Sequence, residues 1–186
     1  MITSADFAQP PDLSLATIAD WYYLTPILNT ANWAVAAGVL SCTSGSSICA
    51  VNKQLTNDEL FTTHMRFTSG TVDLRIANRF LSNTSPNATY YWAGVTGTNF
   101  RIGKTVDGTF TTLASTAYTL SVNVWATFTL QIVGEDIDAT IDDGTTSANL
   151  STTDADIALG GTHFVRSGPT NSCAIECDEI YLARAV

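Results

Sequence analysis

Lysine and histidine are nearly absent from this sequence, which contains two residues of each. Charged residues make up only 13% of the chain, about half the usual share in globular proteins. The formal net charge is −9, and the arginines are scattered along the chain without forming a basic run. Because a phosphate backbone must be neutralised by lysine and arginine, this balance disfavours nucleic acid and anionic membrane surfaces as partners.

Long apolar runs and targeting signals are also missing. No stretch approaches the ~20 apolar residues that a membrane-spanning helix needs. Residues 1–7 lack the basic and apolar regions of a secretory signal peptide. We therefore expect a protein that is made in the cytoplasm and either stays there or leaves by another route, such as release within a virus particle.

The cysteines form two closely spaced pairs. Cys42 and Cys49 flank a segment rich in serine, which a hairpin disulfide could close. Cys173 and Cys177 would lie about 13 Å apart on one strand, too far for a disulfide between them. Neither spacing is that of a zinc knuckle. A Cys42–Cys49 disulfide and buried free thiols are the two alternatives.

The clearest pattern lies between residues 125 and 144. Apolar and polar residues alternate over 128–132 and again over 137–141, on either side of a short polar link that contains Gly134. Period-two alternation around such a link predicts a β-hairpin with one buried face. Because a lone hairpin is marginal in water, a second apolar layer must face it.

The rest of the chain reads as roughly a dozen short strands separated by turn residues, with no convincing long helix. The predicted strands are 33–42, a returning strand at 48–55, 61–67, 72–76, 90–95, 100–104, 110–113, 148–150, 163–166 and 174–182. Val106-Asp107-Gly108 reads as a hairpin turn. In the last strand the apolar parity flips between Cys177 and Ile180, which a bulge or an edge position would explain.

The predicted fold is therefore all-β, a two-sheet antiparallel β-sandwich. Residues 1–12, with a Pro-Pro pair, read as an N-terminal arm, and residues 13–186 read as a single domain. Residues 13–24 fit either a short helix or an irregular segment that packs on the sheet.

Several segments together resemble concanavalin A-like jelly rolls of the LamG type. These are Asp6-Phe7, Asn32-Trp33-Ala34-Val35 with Gly38-Val39-Leu40, the 125–144 hairpin, residues 156–161, and Asp178-Glu179-Ile180-Tyr181-Leu182. The resemblance covers about residues 6–186 and is most specific in the hairpin. It implies a jelly roll of the kind found in sugar-binding modules, glycosidases and shape-giving parts of larger assemblies. Acidic, threonine-rich versions look like surface proteins of tailed-phage particles.

Catalysis is not expected. The glucanases of this superfamily carry three spaced carboxylates on one strand, and the nearest match is Glu176-Cys177-Asp178-Glu179, whose last carboxylate is out of place. Glycoside cleavage needs two carboxyls about 5–9 Å apart across the bond. His64 and His163 lie in no recognisable nucleophile motif. We expect a protein that is not an enzyme.

Two kinds of binding site are candidates. Calcium prefers several oxygen ligands, which the acidic residues Asp142, Asp143, Asp154 and Asp156 could supply, although acidic loop tips also serve solubility. No other cofactor is expected. A glycan site needs aromatic rings beside amides and charged groups, and the candidates are Tyr90, Trp92, Asn99 and Arg101, with Asn123 as a further rim residue.

The function predicted from the sequence is a structural protein of the virion surface, a capsid decoration or a head or tail fibre subunit. Its arm would contact capsid or other virion proteins, and homo-oligomers are expected because exposed strand edges invite pairing. The alternative is a stand-alone carbohydrate-binding lectin module, whose partner would be a cell-surface glycan.

Overall fold

The computed structural model describes residues 24–28, 32–43, 47–51, 58–80, 88–158, 161–167 and 173–185. They form fourteen strands, and no α-helix occurs in these ranges. The strands are β1 (Leu24–Leu28), β2 (Trp33–Ala36), β3 (Val39–Cys42), β4 (Ile48–Val51), β5 (Glu59–Ser69), β6 (Asp73–Phe80), β7 (Tyr90–Thr96), β8 (Asn99–Val106), β9 (Thr109–Ala117), β10 (Ala126–Val133), β11 (Asp136–Asp142), β12 (Ser147–Thr153), β13 (Thr162–Ser167) and β14 (Ala174–Arg184).

Two seven-stranded antiparallel sheets make up the sandwich. Sheet I has the order β1-β4-β13-β6-β7-β8-β9, and sheet II has the order β12-β11-β10-β5-β14-β3-β2. The inward side chains of both sheets form one continuous apolar core. Burying each large apolar side chain there contributes about 1.5–3 kcal/mol. The predicted all-β two-sheet sandwich is confirmed.

The hairpin predicted over residues 125–144 is formed by β10 and β11. Ile132 pairs with Ile137 and Phe128 with Ile141, and all four side chains are buried. Gly134 has a φ of 58° at the first position of the two-residue turn, where glycine is favoured. The facing apolar layer is supplied by sheet I. The hairpin prediction is confirmed.

The turn at residues 107–108 is also confirmed. Asp107 and Gly108 have φ values of 48° and 77°, the pair of positive values that a type I′ hairpin turn requires. It joins β8 to β9. The expected irregularity in the last strand is present as a register shift between Cys177 and Glu179, where β14 pairs with β5. Since β14 lies between β5 and β3, the cause is a local bulge rather than an edge position.

The predicted strand over residues 33–42 is wrong as a single strand. The segment is a hairpin, β2 and β3, that turns at Ala37 and Gly38 with φ values of 51° and 79°. The turn escaped prediction because alanine is a poor turn marker within an apolar run. Residues 1–12 and most of 13–24, for which an arm and a helix or irregular segment were predicted, lie outside the described residues.

The proposed Cys42–Cys49 disulfide is not present. Strand β4 does not pair back onto β3, because β3 belongs to sheet II and β4 to sheet I. Cys49, Cys173 and Cys177 are buried free thiols, and Cys42 is buried as well. Burial raises the pKa of Cys49 to about 12, so its thiol stays protonated at neutral pH. The free-thiol alternative holds.

Candidate ligand-binding face on sheet I

Sheet I is unusual because its central strands are buried on both faces. All eight side chains of β6 are buried, and so are six of the seven in β7. Alternation sends Leu74 and Ile76 into the sandwich core, and it sends Arg75 and its neighbours to the opposite face. On this outer face Phe80, Tyr90, Trp92 and Phe164 form a second apolar cluster with Ile48 and Ala77. We call it the outer face of sheet I.

Three arginines lie side by side across this outer face. In the strand ladder Arg166 of β13 pairs with Arg75 of β6, Arg75 pairs with Gly94 of β7, and Gly94 pairs with Arg101 of β8. Paired residues on antiparallel strands project to the same face. Half of the six arginines of the chain therefore fall in one cross-strand row, which we call the arginine row.

The indole ring of Trp92 lies on the outer face of sheet I beside the arginine row. A Cβ atom at its partner Gly103 would lie 2.3 Å from Cζ2 of the indole, so the absence of a side chain at Gly103 lets the ring lie over β8. The guanidinium carbon of Arg75 lies 4.4 Å from the centre of the indole ring. This cation–π contact orients Arg75. Trp92 is only 3% exposed, so its ring is not an open platform for a sugar.

Phe110 is the exposed aromatic residue of this face. It pairs with Thr105 next to Tyr90, and 45% of its surface is accessible. The guanidinium carbons of Arg75 and Arg166 lie 5.3 and 5.9 Å from the centre of its ring. Tyr90 is buried beneath it, with the two ring centres 6.4 Å apart. Phe110, rather than the predicted Tyr90 or Trp92, offers a ring for stacking.

The arginines are only partly satisfied by protein groups. Arg75 donates to the carboxylate of Asp73 from Nε at 2.8 Å and from Nη2 at 3.3 Å. Arg166 donates from Nη1 to the hydroxyl of Tyr90 at 2.9 Å. Six further polar atoms of this face are buried and have no hydrogen-bond partner among the described residues: Arg75 Nη1, Arg166 Nε, Arg101 Nε, Trp92 Nε1, Thr96 Oγ1 and Thr105 Oγ1.

Electrostatics on this face are unbalanced. Burial lowers the pKa of Arg166, and the neighbouring charge of Arg75 lowers it further, while Tyr90 and Asp73 oppose the shift. Among the described contacts of the arginine row, the one carboxylate is that of Asp73, which accepts hydrogen bonds from Arg75. Since buried polar groups normally find partners, such a concentration of donors without a described partner calls for a hydrogen-bonding group from outside the described residues, such as water, an ion or a ligand.

The residues predicted for glycan binding share this face. Tyr90, Trp92 and Arg101 belong to adjoining cross-strand rows, and Asn99 pairs with Thr96 at the end of β8. Asn123 is not among them. It lies in the turn before β10, where its backbone amide donates to Phe67 of sheet II. The structure therefore brings the four main candidates together and leaves the fifth apart.

The acidic residues predicted for calcium do not assemble into one site. Asp143 lies in the turn that precedes β12 and Asp154 directly follows β12, and the seven residues of that strand span about 23 Å. Asp154 and Asp156 both accept a hydrogen bond from Nζ of Lys104, so an ammonium group lies where a metal would be needed. Among the described ranges, no group of three or more potential metal ligands is found.

Hydrogen bonds from nearby protein groups, rather than a metal ion, stabilise the charged form of Asp143 and Asp154. Backbone amides of Thr146 and Thr145 hold the pKa of Asp143 below its usual range. Burial opposes the charge of Asp154, but the hydrogen bonds from Lys104 and Tyr91 outweigh burial and lower its pKa. Hydrogen bonds to the carboxylates of Asp154 and Asp156 raise the pKa of Lys104 to about 12. The calcium prediction finds no support in this geometry.

Glu176 and Asp178, the residues that partly resemble a glucanase motif, lie on the outer side of sheet II. Glu176 accepts from Nε of Arg66 at 2.7 Å, and Asp178 lies 2.8 Å from Nδ1 of His64. The imidazole of His64 stacks on Trp125 with ring centres 4.9 Å apart. Glu176 is therefore held in an ion pair by Arg66, and Asp178 is in hydrogen-bond contact with His64.

Sequence reasoning missed Asp73, Arg75, Phe110 and Arg166. The available signal was the position of Asp73 and Arg75 at alternate positions of the predicted strand 72–76, whose other residues are apolar, in a chain with few charges. Strand register, which joins Arg75 to Arg166 and Arg101, cannot be read from the sequence, because it is set by long-range pairing.

Comparisons with known proteins place the fold. No protein family matches the chain, and no curated protein matches it by sequence. Among solved structures, the carbohydrate binding module CBM66 from Bacillus subtilis is similar with a TM-score of 0.70 and 14% identity, over 88% of this chain and 96% of that one.

Two further structures are similar over most of their length. A β-glucanase from Bacillus licheniformis has a TM-score of 0.60 at 9% identity and covers 83% of each chain. A legume lectin-like domain from Entamoeba histolytica has a TM-score of 0.61 at 9% identity, over 91% of this chain and 93% of that one. The protein thus has a concanavalin A-like jelly-roll fold, and at these identities the similarity shows the fold alone. In the described part of the chain, no helix has the length and apolar character needed to cross a membrane.

Proposed function

We propose that the protein is a carbohydrate-binding module that recognises a saccharide through the outer face of sheet I. The observation that carries the proposal is the set of N–H donors on the arginine row and Trp92 that have no partner in the described part of the chain, beside the exposed ring of Phe110. Sugar sites combine an aromatic ring with a few placed polar groups that fix orientation. Similarity of fold to a carbohydrate binding module and to a lectin-like domain adds support.

The proposal is binding without catalysis. Glycoside cleavage would require two carboxyls about 5–9 Å apart. Among the described residues of the outer face, the arginine row adjoins Asp73, which is held by Arg75. Glu176 and Asp178 lie on the other sheet, where they contact Arg66 and His64. A donor-rich, carboxylate-poor surface suits recognition better than proton transfer.

The virion role stays a prediction. The arm that would anchor the chain lies outside the described residues, and no contact described above favours a capsid partner or a homo-oligomer. Carbohydrate binding rests on a specific set of side chains, so we place it first.

A glycan array followed by calorimetry tests the proposal. We expect the wild-type protein to bind a saccharide with equal affinity in calcium and in a chelator. Arg101→Gln removes a donor of the face from a half-buried position and is expected to weaken binding by about tenfold, which corresponds to about 1.4 kcal/mol. Arg184→Gln, at the exposed end of β14, is the matched control and should bind like the wild type. Absence of binding to every glycan, or full binding by the Arg101 variant, would contradict the proposal.

A further inference from the structure

The charge carried by the arginine row narrows the class of ligand. The side chain of Arg75 is 8% exposed, and Arg166 is 8% exposed as a whole residue. They are paired neighbours in the ladder, where Cβ atoms lie about 4.5–5.5 Å apart and like charges repel. Two nearly buried guanidinium groups therefore stand side by side in the unliganded protein.

The described residues supply too little negative charge to balance these two guanidinium groups. Asp73 accepts from two of the nitrogen atoms of Arg75, and Tyr90 offers Arg166 a neutral hydroxyl. Arg75 Nη1, Arg166 Nε and Arg101 Nε keep no partner within the described ranges. A buried charge is costly unless it is both paired and hydrogen-bonded. The unmet requirement is thus a second anionic group that also accepts hydrogen bonds.

On the basis of the proposed carbohydrate site, we infer that its saccharide carries an oxyanion substituent, a carboxylate or a sulfate ester, which the arginine row binds. A planar guanidinium suits such oxyanions, because its parallel N–H groups donate to two oxygens at once. A neutral sugar hydroxyl accepts the same hydrogen bonds and leaves the charges unbalanced. Phe110 would then lie against the sugar ring that bears the substituent.

The charge of the whole chain limits the length of the ligand. The formal net charge of −9 repels a long polyanion, and this repulsion acts within a Debye length of about 8 Å at physiological salt. The arginine row occupies four neighbouring strands of one sheet. The arginine row therefore suits a saccharide with a single acidic sugar unit in the site better than a long polyanion.

The test compares acidic glycans with their own neutral counterparts. The array holds uronate-containing, sialylated and sulfated saccharides, and each binder is remeasured by calorimetry after methyl esterification or desulfation. We expect the strongest binder to be acidic and its affinity to fall by at least about tenfold when the oxyanion is masked. Comparison of the carboxylate and sulfate sets identifies which oxyanion is bound. Arg166→Met should remove this preference, and Arg184→Gln should retain it.

The outcomes separate the inference from the proposal beneath it. If the strongest binder is neutral, or if masking the oxyanion leaves its affinity unchanged, the inference is wrong and the carbohydrate site stands. If no saccharide of either kind binds, the proposed function itself is wrong. Retention of the acidic preference by Arg166→Met would overturn the assignment to the arginine row, and circular dichroism of that variant shows whether it is folded.

Discussion

Replacing Arg166 by methionine should remove the preference for acidic saccharides without destabilising the fold. The two side chains are similar in length, and the position is almost fully buried. In most proteins, loss of a buried, hydrogen-bonded arginine is strongly destabilising, because a partner is left unpaired. The guanidinium of Arg166 is itself poorly paired among the described residues, so its removal should destabilise the fold less than in those proteins.

The magnitude follows from the contacts of the guanidinium. The substitution loses one hydrogen bond, from Nη1 to Tyr90, worth about 1.5–3 kcal/mol because the donor is charged. In the wild type, the buried Nε without a described partner destabilises the fold by about 1–3 kcal/mol, and the substitution removes this penalty. It also removes the repulsion between Arg166 and Arg75. Apolar replacement of buried ionic groups is often neutral or stabilising by about 1–4 kcal/mol. We expect a free energy of unfolding within about 1 kcal/mol of the wild type, or higher.

Arg79→Met is the matched control. Arg79 is 2% exposed, but it donates from Nη1 to the carbonyl of Ile157 at 2.8 Å, and its Nη2 lies 3.6 Å from the carboxylate of Asp58. Removing this well-paired arginine should lower the free energy of unfolding by about 3 kcal/mol or more. Urea unfolding followed by tryptophan fluorescence measures both variants, with the midpoint compared at constant slope. A loss of 3 kcal/mol or more in the Arg166 variant would refute the reasoning and make Arg166 a structural residue.

Three further predictions follow from other contacts. Gly103→Ala should displace the ring of Trp92, weaken saccharide binding in calorimetry and cost about 1–3 kcal/mol in urea unfolding, and an unchanged affinity would contradict the role of the ring. Lys104→Met should cost about 1–3 kcal/mol at neutral pH. Because the pKa of Asp154 is lowered, the ion pair of Asp154 with Lys104 stabilises the fold above the ordinary aspartate pKa near 3.9, and this stabilisation is lost as pH falls. The difference in free energy of unfolding between the wild type and the Lys104 variant should therefore shrink near pH 3. At alkaline pH the same stabilisation should be lost between 10.5, the ordinary pKa of lysine, and about 12, the raised pKa of Lys104. The four buried thiols should react with an aromatic disulfide reagent only after denaturation, and a count of two in unreduced, denatured protein would reveal a disulfide.

Local features of the fold were readable from the sequence. Alternation over residues 128–141 reports a strand pair with one buried face, because the side-chain period of a strand is two and water is on one side. Asp107-Gly108 specifies its turn, since both residues tolerate a positive φ. The hairpin at Ala37-Gly38 was hidden because its flanks are apolar on both strands and no polar residue marks the turn.

The candidate site was only partly readable. Tyr90 and Trp92 were expected beside Arg101, and the structure places them together on one face. Their burial was not foreseen, because it depends on Phe164 and Phe110 arriving from other strands. The arginine row is a product of register among β13, β6 and β8. A scattered set of charges in the sequence becomes a single positive surface in a chain that is acidic overall.

The most direct measurement is a saccharide titration of the side-chain N–H signals in a two-dimensional nitrogen–proton NMR spectrum. Assigned signals of Arg166 Nε, Arg101 Nε and Trp92 Nε1 should shift together, because these donors have no hydrogen-bond partner among the residues that the structure describes. The signals of Arg66 Nε and Trp125 Nε1, on the outer side of sheet II, should stay in place. Shifts confined to Arg66 and Trp125, with the arginine row unchanged by a saccharide that binds, would contradict the central claim.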